Sequence, residues 1–227
     1  MINGINSREM ILEILLEIEE GEHSHVAIRN ALSKYQFLPK QDRAFITRVC
    51  EGTLEYRIQI DYIINSFSKV TVDKMKPAIR EILRSAVYQL KYMDSVPDSA
   101  VCNEAVKLAQ RKGFYNLKPF VNGVLRTIAR EMDQVRFPQK EDDLLKYLSV
   151  KYSMPEVLVT RWLEAYGEET TEKILADFLM EHPLTIRCRT YLNSKEEVIK
   201  SLESQGVHVA PAPYLPYAYS ISEFNHI

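Results

Sequence analysis

The sequence has 227 residues, of which 46% are hydrophobic. This composition is sufficient for a buried core and is not typical of a disordered chain. Its net charge of −2 gives no overall preference for polyanions, and no run of about 18 apolar residues predicts a membrane span. Six Glu and one Arg in residues 1–22 exclude a signal peptide. Three widely spaced cysteines, Cys50, Cys102 and Cys188, argue against disulfide or zinc frameworks and indicate packed side chains in a reducing, cytoplasmic protein.

Six helices are predicted in the first 137 residues, joined by short connections typical of an all-α bundle. Apolar residues recur at helical spacing, and Gly and Pro stand at the ends of the pattern. Gly52 lies inside the third helix and indicates either close packing or a kink. The predicted ranges are about 7–20, 24–34, 40–66, 77–90, 98–112 and 118–130.

A boundary is predicted at Phe137-Pro138, followed by a helical connecting segment at 138–181. This segment holds a short helix near 144–148, another from Pro155 to near Gly167, and a third from about 169 to 181. The predicted fold is therefore mainly α, with domains at 1–137, 138–181 and 182–227.

The last region, 182–227, is predicted to be the start of an α/β, RRM-like subdomain. Alternating residues indicate strands at 184–191 and 207–210, and a Ser194–Glu197 capping box opens a helix at 195–205. We expect a βαβ-like unit of parallel strands with the helix as crossover. Because so narrow a sheet is not stable alone, we expect it to pack on 138–181, and residues after Ala210 to be poorly fixed.

No catalytic, cofactor-binding or metal-binding residue is predicted. No two of the seven glycines lie closer than ten residues, which excludes the dinucleotide fingerprint and the P-loop. His23 and His25 are close but lack partners at ligand spacing, and no G-x-S-x-G motif occurs.

The uneven distribution of charge points to RNA as a partner. Residues 23–137 carry 19 Lys and Arg against 11 Asp and Glu, whereas residues 138–227 carry 9 against 14. Such a basic block is either a polyanion-binding surface or an ordinary solvated helix surface. The candidate phosphate contacts are Arg43, Arg48, Arg80, Arg84, Arg126, Arg130, Arg187 and Arg189.

Local ion pairs are the alternative for each of these arginines. Arg43 has Asp42 beside it, and Arg80 and Arg84 have Glu81 and the acids of the first helix within possible reach. Glu196 and Glu197 could pair with Arg187 and Arg189 in the same way. If RNA is the partner, we expect Arg43, Arg80, Arg84, Arg126 and Arg130 to converge on one face.

Two stretches resemble a known family, DRAFITRVCEGTLEYRIQIDYII at 42–64 and VPDSAVCNEAVKLAQRKGFYNLKPFVNGVLRTIAR at 96–130. Together they resemble the NusB-like fold as it occurs in Sun/RsmB-type rRNA cytosine-C5 methyltransferases. The resemblance continues through YSMPEVLVTRWLEAYGEE at 152–169 and HPLTIRCRT at 182–190. The motifs that carry it are Asp42-Arg43-Ala44-Phe45, Gly52-Thr53-Leu54, Val96-Pro97, Asn103-Glu104-Ala105-Val106 and Phe120-Val121-Asn122-Gly123-Val124-Leu125-Arg126.

The resemblance implies a parent enzyme that uses S-adenosylmethionine to methylate cytosine in 16S rRNA, the RNA of the small ribosomal subunit. It also implies catalytic cysteines in Pro-Cys and Thr-Cys-Ser contexts, which this sequence lacks. We therefore expect the C-terminal methyltransferase domain to be missing and the chain to be inactive alone. Its function would be to bind and position rRNA. The alternative is a NusB-type antitermination module that docks a protein, which an exposed apolar groove would favour.

Overall fold

The computed structural model describes residues 6–180, 182–189 and 191–222. The chain divides into two compact units, the first ending at Ala176 and the second beginning at Asp177. Helices dominate, as predicted, and no helix in the described ranges is long and apolar enough to cross a membrane. The domain boundaries at 137 and 181 stay predictions.

Nine α-helices follow one another from Ser7 to Phe178. Asn6 caps the first helix, because its side-chain oxygen accepts a hydrogen bond from the Arg8 N–H at 2.9 Å. The nine helices are α1 (Ser7–Glu19), α2 (Ser24–Lys34), α3 (Lys40–Glu55), α4 (Arg57–Phe67), α5 (Pro77–Tyr92), α6 (Asp98–Arg111), α7 (Lys118–Glu131), α8 (Leu144–Lys151) and α9 (Glu156–Phe178). Short 3₁₀ turns lie at Val72–Lys74, Tyr115–Leu117 and Met132–Gln134.

The predicted single helix at 40–66 is wrong, because it breaks at Tyr56 into α3 and α4. Tyr56 departs from helical geometry, with φ −95° and ψ 17°, and its ring stacks on Tyr92 with centroids 4.2 Å apart. The Ile58 N–H donates to Ser153 Oγ at 3.0 Å, so a residue from outside the helix replaces a helical acceptor. The described part of the first 137 residues therefore contains seven α-helices, whereas six were predicted.

Gly52 is a point of close packing, one of the two roles that the sequence left open. A Cβ atom at this position would overlap the ring of Tyr88, which projects from α5. The glycine thus lets α3 and α5 approach each other closely.

Helix α5 lies at the centre of the bundle and is buried on almost every side. Ile82, Leu83 and Val87 are at most 1% exposed and pack in one continuous core with α1, α3, α4, α6 and α7. Each such side chain contributes about 1.5–3 kcal/mol through burial. Because burial of an unpaired polar group is unfavourable, the polar and charged side chains of α5 need hydrogen-bond or ion-pair partners inside the protein.

Helices α8 and α9 have a small core of their own and are tied to α4. Leu148, Val159 and Leu175 are fully buried together. Gln59 of α4 donates through Nε2 to the carbonyls of Val150 and Lys151, both at 3.1 Å. Gly167, at φ 73° and ψ 174°, interrupts α9 where the sequence predicted a helix end.

The second unit contains β1 (Leu184–Arg187), α10 (Lys195–Ser204), β2 (His208–Pro211) and β3 (Ala218–Ser222). The Ser194–Glu197 capping box is present, with the Glu197 N–H donating to Ser194 Oγ at 3.2 Å and the Ser194 N–H donating to the Glu197 carboxylate at 3.1 Å. The sheet order is β1-β3-β2, and both pairs are antiparallel.

The expected βαβ-like arrangement of β1, α10 and β2 is present, but the sequence interpretation missed the third strand, β3. Strands β1 and β2 do run in the same direction, but β3 lies between them. Residues 211–222 were expected to be poorly fixed, yet they complete the sheet, and Tyr219 and Ile221 are buried. The rest of that tail, 223–227, lies outside the described residues, as do Glu181 and Thr190. The expected packing of this unit on 138–181 stays a prediction.

Candidate nucleic-acid interface

The two arginines of α5 form ion pairs with carboxylates of α1, α4 and α5 itself. Arg80 pairs with Glu19 of α1, and its Nη1 donates to the carbonyl of Val72 at 3.1 Å. Arg84 is only 5% exposed and forms ion pairs with Asp61 at 2.6 Å and Glu81 at 2.5 Å.

The electrostatics of Arg84 show how firmly it is held. Burial lowers the pKa of its guanidinium, but hydrogen bonds and charges from Asp61 and Glu81 outweigh burial, and the pKa is raised. Its Nε and Nη2 both reach Asp61, at 2.7 and 2.6 Å, in a bidentate geometry. Arg80 and Arg84 are therefore removed from the candidate phosphate contacts, and the expected face of five arginines does not form.

The arginines of α7 remain accessible. Arg126 is exposed and donates to Asn103 Oδ1 at 3.0 Å, a neutral partner that leaves its charge uncompensated. The side chain of Arg130 is 68% exposed and pairs with the adjacent Glu131 at 2.6 Å. Exposed pairs of this kind contribute about 1 kcal/mol or less, so a phosphate can compete for Arg130.

The arginines of α3 are exposed, and one of them lines a groove. Arg43 and Arg48 form no ion pair with a described residue, so the predicted alternative pairing of Arg43 with Asp42 is not found. Arg43 lies in a groove of about 650 Å³ between α2 and α3, together with Arg29, Gln36 and Thr47.

Arg29 and Gln36 were missed by the sequence interpretation. The signal for them was the loop at 35–39, which is so short that α2 and α3 must be neighbours. The polar residues of α2 and α3 that face each other then belong to the same surface.

Arg187 and Arg189 are exposed in the second unit. In an antiparallel sheet, directly paired residues share a face, so Arg187 lies on the face of Ala218 and Thr185 on that of Ser220, away from Leu184 and Ile186. Within the described residues neither arginine pairs with Glu196 or Glu197, which was the alternative reading. Their exposure is what a phosphate contact needs, and their role in RNA binding stays a prediction.

The cysteines are buried and free. Burial raises the pKa of the Cys50 thiol and of the Cys102 thiol, which disfavours the nucleophilic thiolate. No group of three His, Cys, Asp or Glu side chains in the described chain is arranged to hold a metal ion.

Comparison with known proteins matches two families along the chain. The NusB family model matches residues 5–130, and the model "Methyltr_RsmF/B-like, ferredoxin-like domain" matches residues 154–227. The chain is 32% identical over 202 residues to the probable ribosomal RNA small subunit methyltransferase B of Bacillus subtilis. This match covers 89% of the chain but 44% of that relative, so the chain spans less than half its length.

Two solved structures share the fold. The crystal structure of PH0851 covers 96% of this chain and 49% of its own, with a TM-score of 0.68 at 23% identity. A crystal structure of the antitermination factors NusB and NusE in complex with dsRNA covers 55% of this chain and 93% of its own, with a TM-score of 0.51 at 21% identity. These likenesses confirm the predicted NusB-like bundle. Because the NusB family model accounts for more than half of its residues, the chain belongs to the NusB family.

Proposed function

We propose that this chain is the RNA-binding, substrate-positioning region of an S-adenosylmethionine-dependent 16S rRNA cytosine-C5 methyltransferase. One observation carries the proposal: a NusB-family region is followed in the same chain by a ferredoxin-like region of the RsmF/B-like methyltransferases. The similarity to a probable small-subunit rRNA methyltransferase over 89% of the chain supports it.

The charges of the first unit support RNA as the ligand. Arg43, Arg48 and Arg126 are exposed and free of carboxylate partners in the described chain. An RNA backbone needs such projecting cations, because contact with them releases condensed counterions. A NusB-fold structure with bound dsRNA is consistent with this use of the fold.

The chain's own residues do not fit the catalytic chemistry of the proposed parent. Its glycines are at least ten residues apart, which does not suit a glycine-rich loop around S-adenosylmethionine. Burial and a raised pKa make Cys50 unsuited to attack a cytosine ring. We therefore derive no step of methyl transfer from these residues and assign them binding alone.

A second candidate function is a protein-docking module of the antitermination type. The NusB structure with both NusE and dsRNA makes a protein partner a real competitor for this fold. The ferredoxin-like match at 154–227 favours the methyltransferase, since the fold of that structure covers only 55% of this chain.

Binding to small-subunit rRNA tests the proposal. Filter binding of the chain to a 16S rRNA transcript, with an unrelated RNA of equal length as competitor, should show that the chain prefers the ribosomal transcript. If the unrelated RNA competed as well as the 16S rRNA transcript, the chain would be a general RNA-binding module without preference for ribosomal RNA. No retained RNA at low salt, together with capture of a ribosomal protein, would favour the docking function instead.

A further inference from the structure

The groove between α2 and α3 combines features that a nucleic-acid strand requires. It measures about 650 Å³, within the range of about 300–1,000 Å³ that is usual for ligand sites. Its polar lining includes His25, Arg29, Gln36, Arg43, Thr47 and Glu51. The groove therefore presents hydrogen-bond donors from both helices along one channel.

The two guanidinium groups of this groove are free, unlike those of α5. Arg29 and Arg43 are exposed, and the side chain of neither forms an ion pair or hydrogen bond with any residue in the described ranges. Glu51 is the acidic residue in the lining and does not pair with either of them. Both charges are thus available to an anion, since neither guanidinium has an ion-pair or hydrogen-bond partner in the part of the chain that the structure describes.

An exposed aromatic residue directly follows the groove lining in the sequence. Phe37 follows the lining residue Gln36 in the loop after α2 and is 56% exposed. The rings of Phe37 and Tyr35 are in a T-shaped arrangement, with centroids 6.0 Å apart. An aromatic face next to paired cations is the arrangement on which unstacked bases bind in single-stranded RNA.

We propose that the α2–α3 groove is a subsite for single-stranded RNA, in which Arg29 and Arg43 contact successive phosphates and Phe37 stacks a base. Gln36 supplies an amide that can donate to and accept from a base edge. This inference rests on the proposed RNA-binding function and adds the strand state that is recognised. A duplex would contact only the arginines, because its bases are stacked on one another and cannot stack on the Phe37 ring.

The test is a pair of variants of the whole chain, measured by fluorescence anisotropy with a labelled single-stranded oligoribonucleotide and with its duplex. Arg29→Gln/Arg43→Gln should make the slope of log K against log salt shallower by about 1.4, at about 0.7 per phosphate contact on a single strand. Phe37→Ala should weaken single-strand binding about tenfold and leave duplex binding unchanged. Arg161→Gln, an exposed arginine of α9 with no ion pair to a described residue, is the control for loss of charge.

The outcomes separate the groove from the proposed function. Wild-type protein that binds RNA while both groove variants behave like Arg161→Gln would overturn the groove and leave the function standing. Wild-type protein that binds no RNA would overturn both. An acidic polypeptide that displaces RNA, with Phe37→Ala having no effect on the single strand, would assign the groove to a protein partner and also overturn the proposal. Far-UV circular dichroism confirms that each variant is folded.

Discussion

Helix α5 and the α2–α3 pair place arginine side chains in opposite environments. Arg84 on α5 is buried between two carboxylates, whereas Arg43 on α3 is exposed beside a groove and has no carboxylate partner in the described chain. Both are arginines on amphipathic helices, and both have an acidic residue nearby in sequence. The difference comes from the tertiary structure, because α4 brings Asp61 to Arg84, whereas no carboxylate among the described residues pairs with Arg43.

The largest effect is expected where the buried ion pairs are broken. Arg84→Ala leaves Glu81, 3% exposed, without its cation inside the bundle. Losing one partner of a buried pair costs about 3–5 kcal/mol, so urea denaturation should show a loss of that size. Arg43→Ala, at an exposed position of α3, is the control, with an expected change in the free energy of unfolding within about 0.5 kcal/mol. Similar losses for the two variants would show that their environments do not differ as described.

Close packing of α3 against α5 gives the next largest effect. Gly52→Ala forces a methyl group into the ring of Tyr88, and overpacking of this kind costs about 1–3 kcal/mol.

Gly123→Ala is the matched control for the Gly52 variant, since nothing lies within 4 Å of its added Cβ. There the same substitution should stabilise α7 by up to about 1 kcal/mol. Thermal unfolding of the two variants should therefore move in opposite directions. A neutral Gly52→Ala would mean that Tyr88 can move away and that α3 and α5 are less tightly fitted.

The smallest effect is expected in the charged network that joins α8 and α9. Hydrogen bonds from Lys140 and Lys151 lower the pKa of Glu172 to about 2. A depressed pKa in the folded state means that Glu172 stabilises the protein above its unfolded pKa and that this contribution disappears as the pH falls toward about 2.

Thermal unfolding across pH checks this network. Glu172→Gln should be less stable than wild type near neutral pH, by about 1 kcal/mol or less because the pairs are partly solvated. The difference in stability between Glu172→Gln and wild type should disappear as the pH falls below the usual pKa range of glutamate. Glu169→Gln, which removes an exposed pair with Lys173, should show almost no gap at any pH. A constant gap for Glu172→Gln down to acidic pH would contradict the assigned network.

The sequence predicted the parts of this structure that depend on nearby residues. Helical periodicity located most helices, and the Ser194–Glu197 capping box, three residues apart, was read correctly. The break at Tyr56 was missed because the acceptor for Ile58 comes from Ser153, 95 residues away. Strand β3 was missed because proline and tyrosine dominate 211–217, although Ala218–Ser222 alternates as a strand does.

The same limit applies to the candidate interface. The sequence interpretation gave the acids of the first helix as alternative partners of Arg80, and Glu19 is the one it pairs with. The pairing of Arg84 with Asp61 of α4 requires knowing which helices are neighbours. Arg29 was overlooked for the converse reason, since only the packing of α2 on α3 brings it to Arg43. Composition therefore indicated a basic region, and tertiary structure decides which of its charges are available.

The salt dependence of RNA binding tests the central claim most directly. The chain should bind a 16S rRNA transcript with a log K that falls linearly with log salt, because the free arginines displace counterions. Arg43→Gln should reduce that slope by about 0.7–0.9, the contribution of one phosphate contact, and Arg80→Gln, provided it stays folded, should leave the slope unchanged since Glu19 already holds that side chain. Binding without salt dependence, or equal loss of slope in both variants, would contradict the division between free and sequestered arginines.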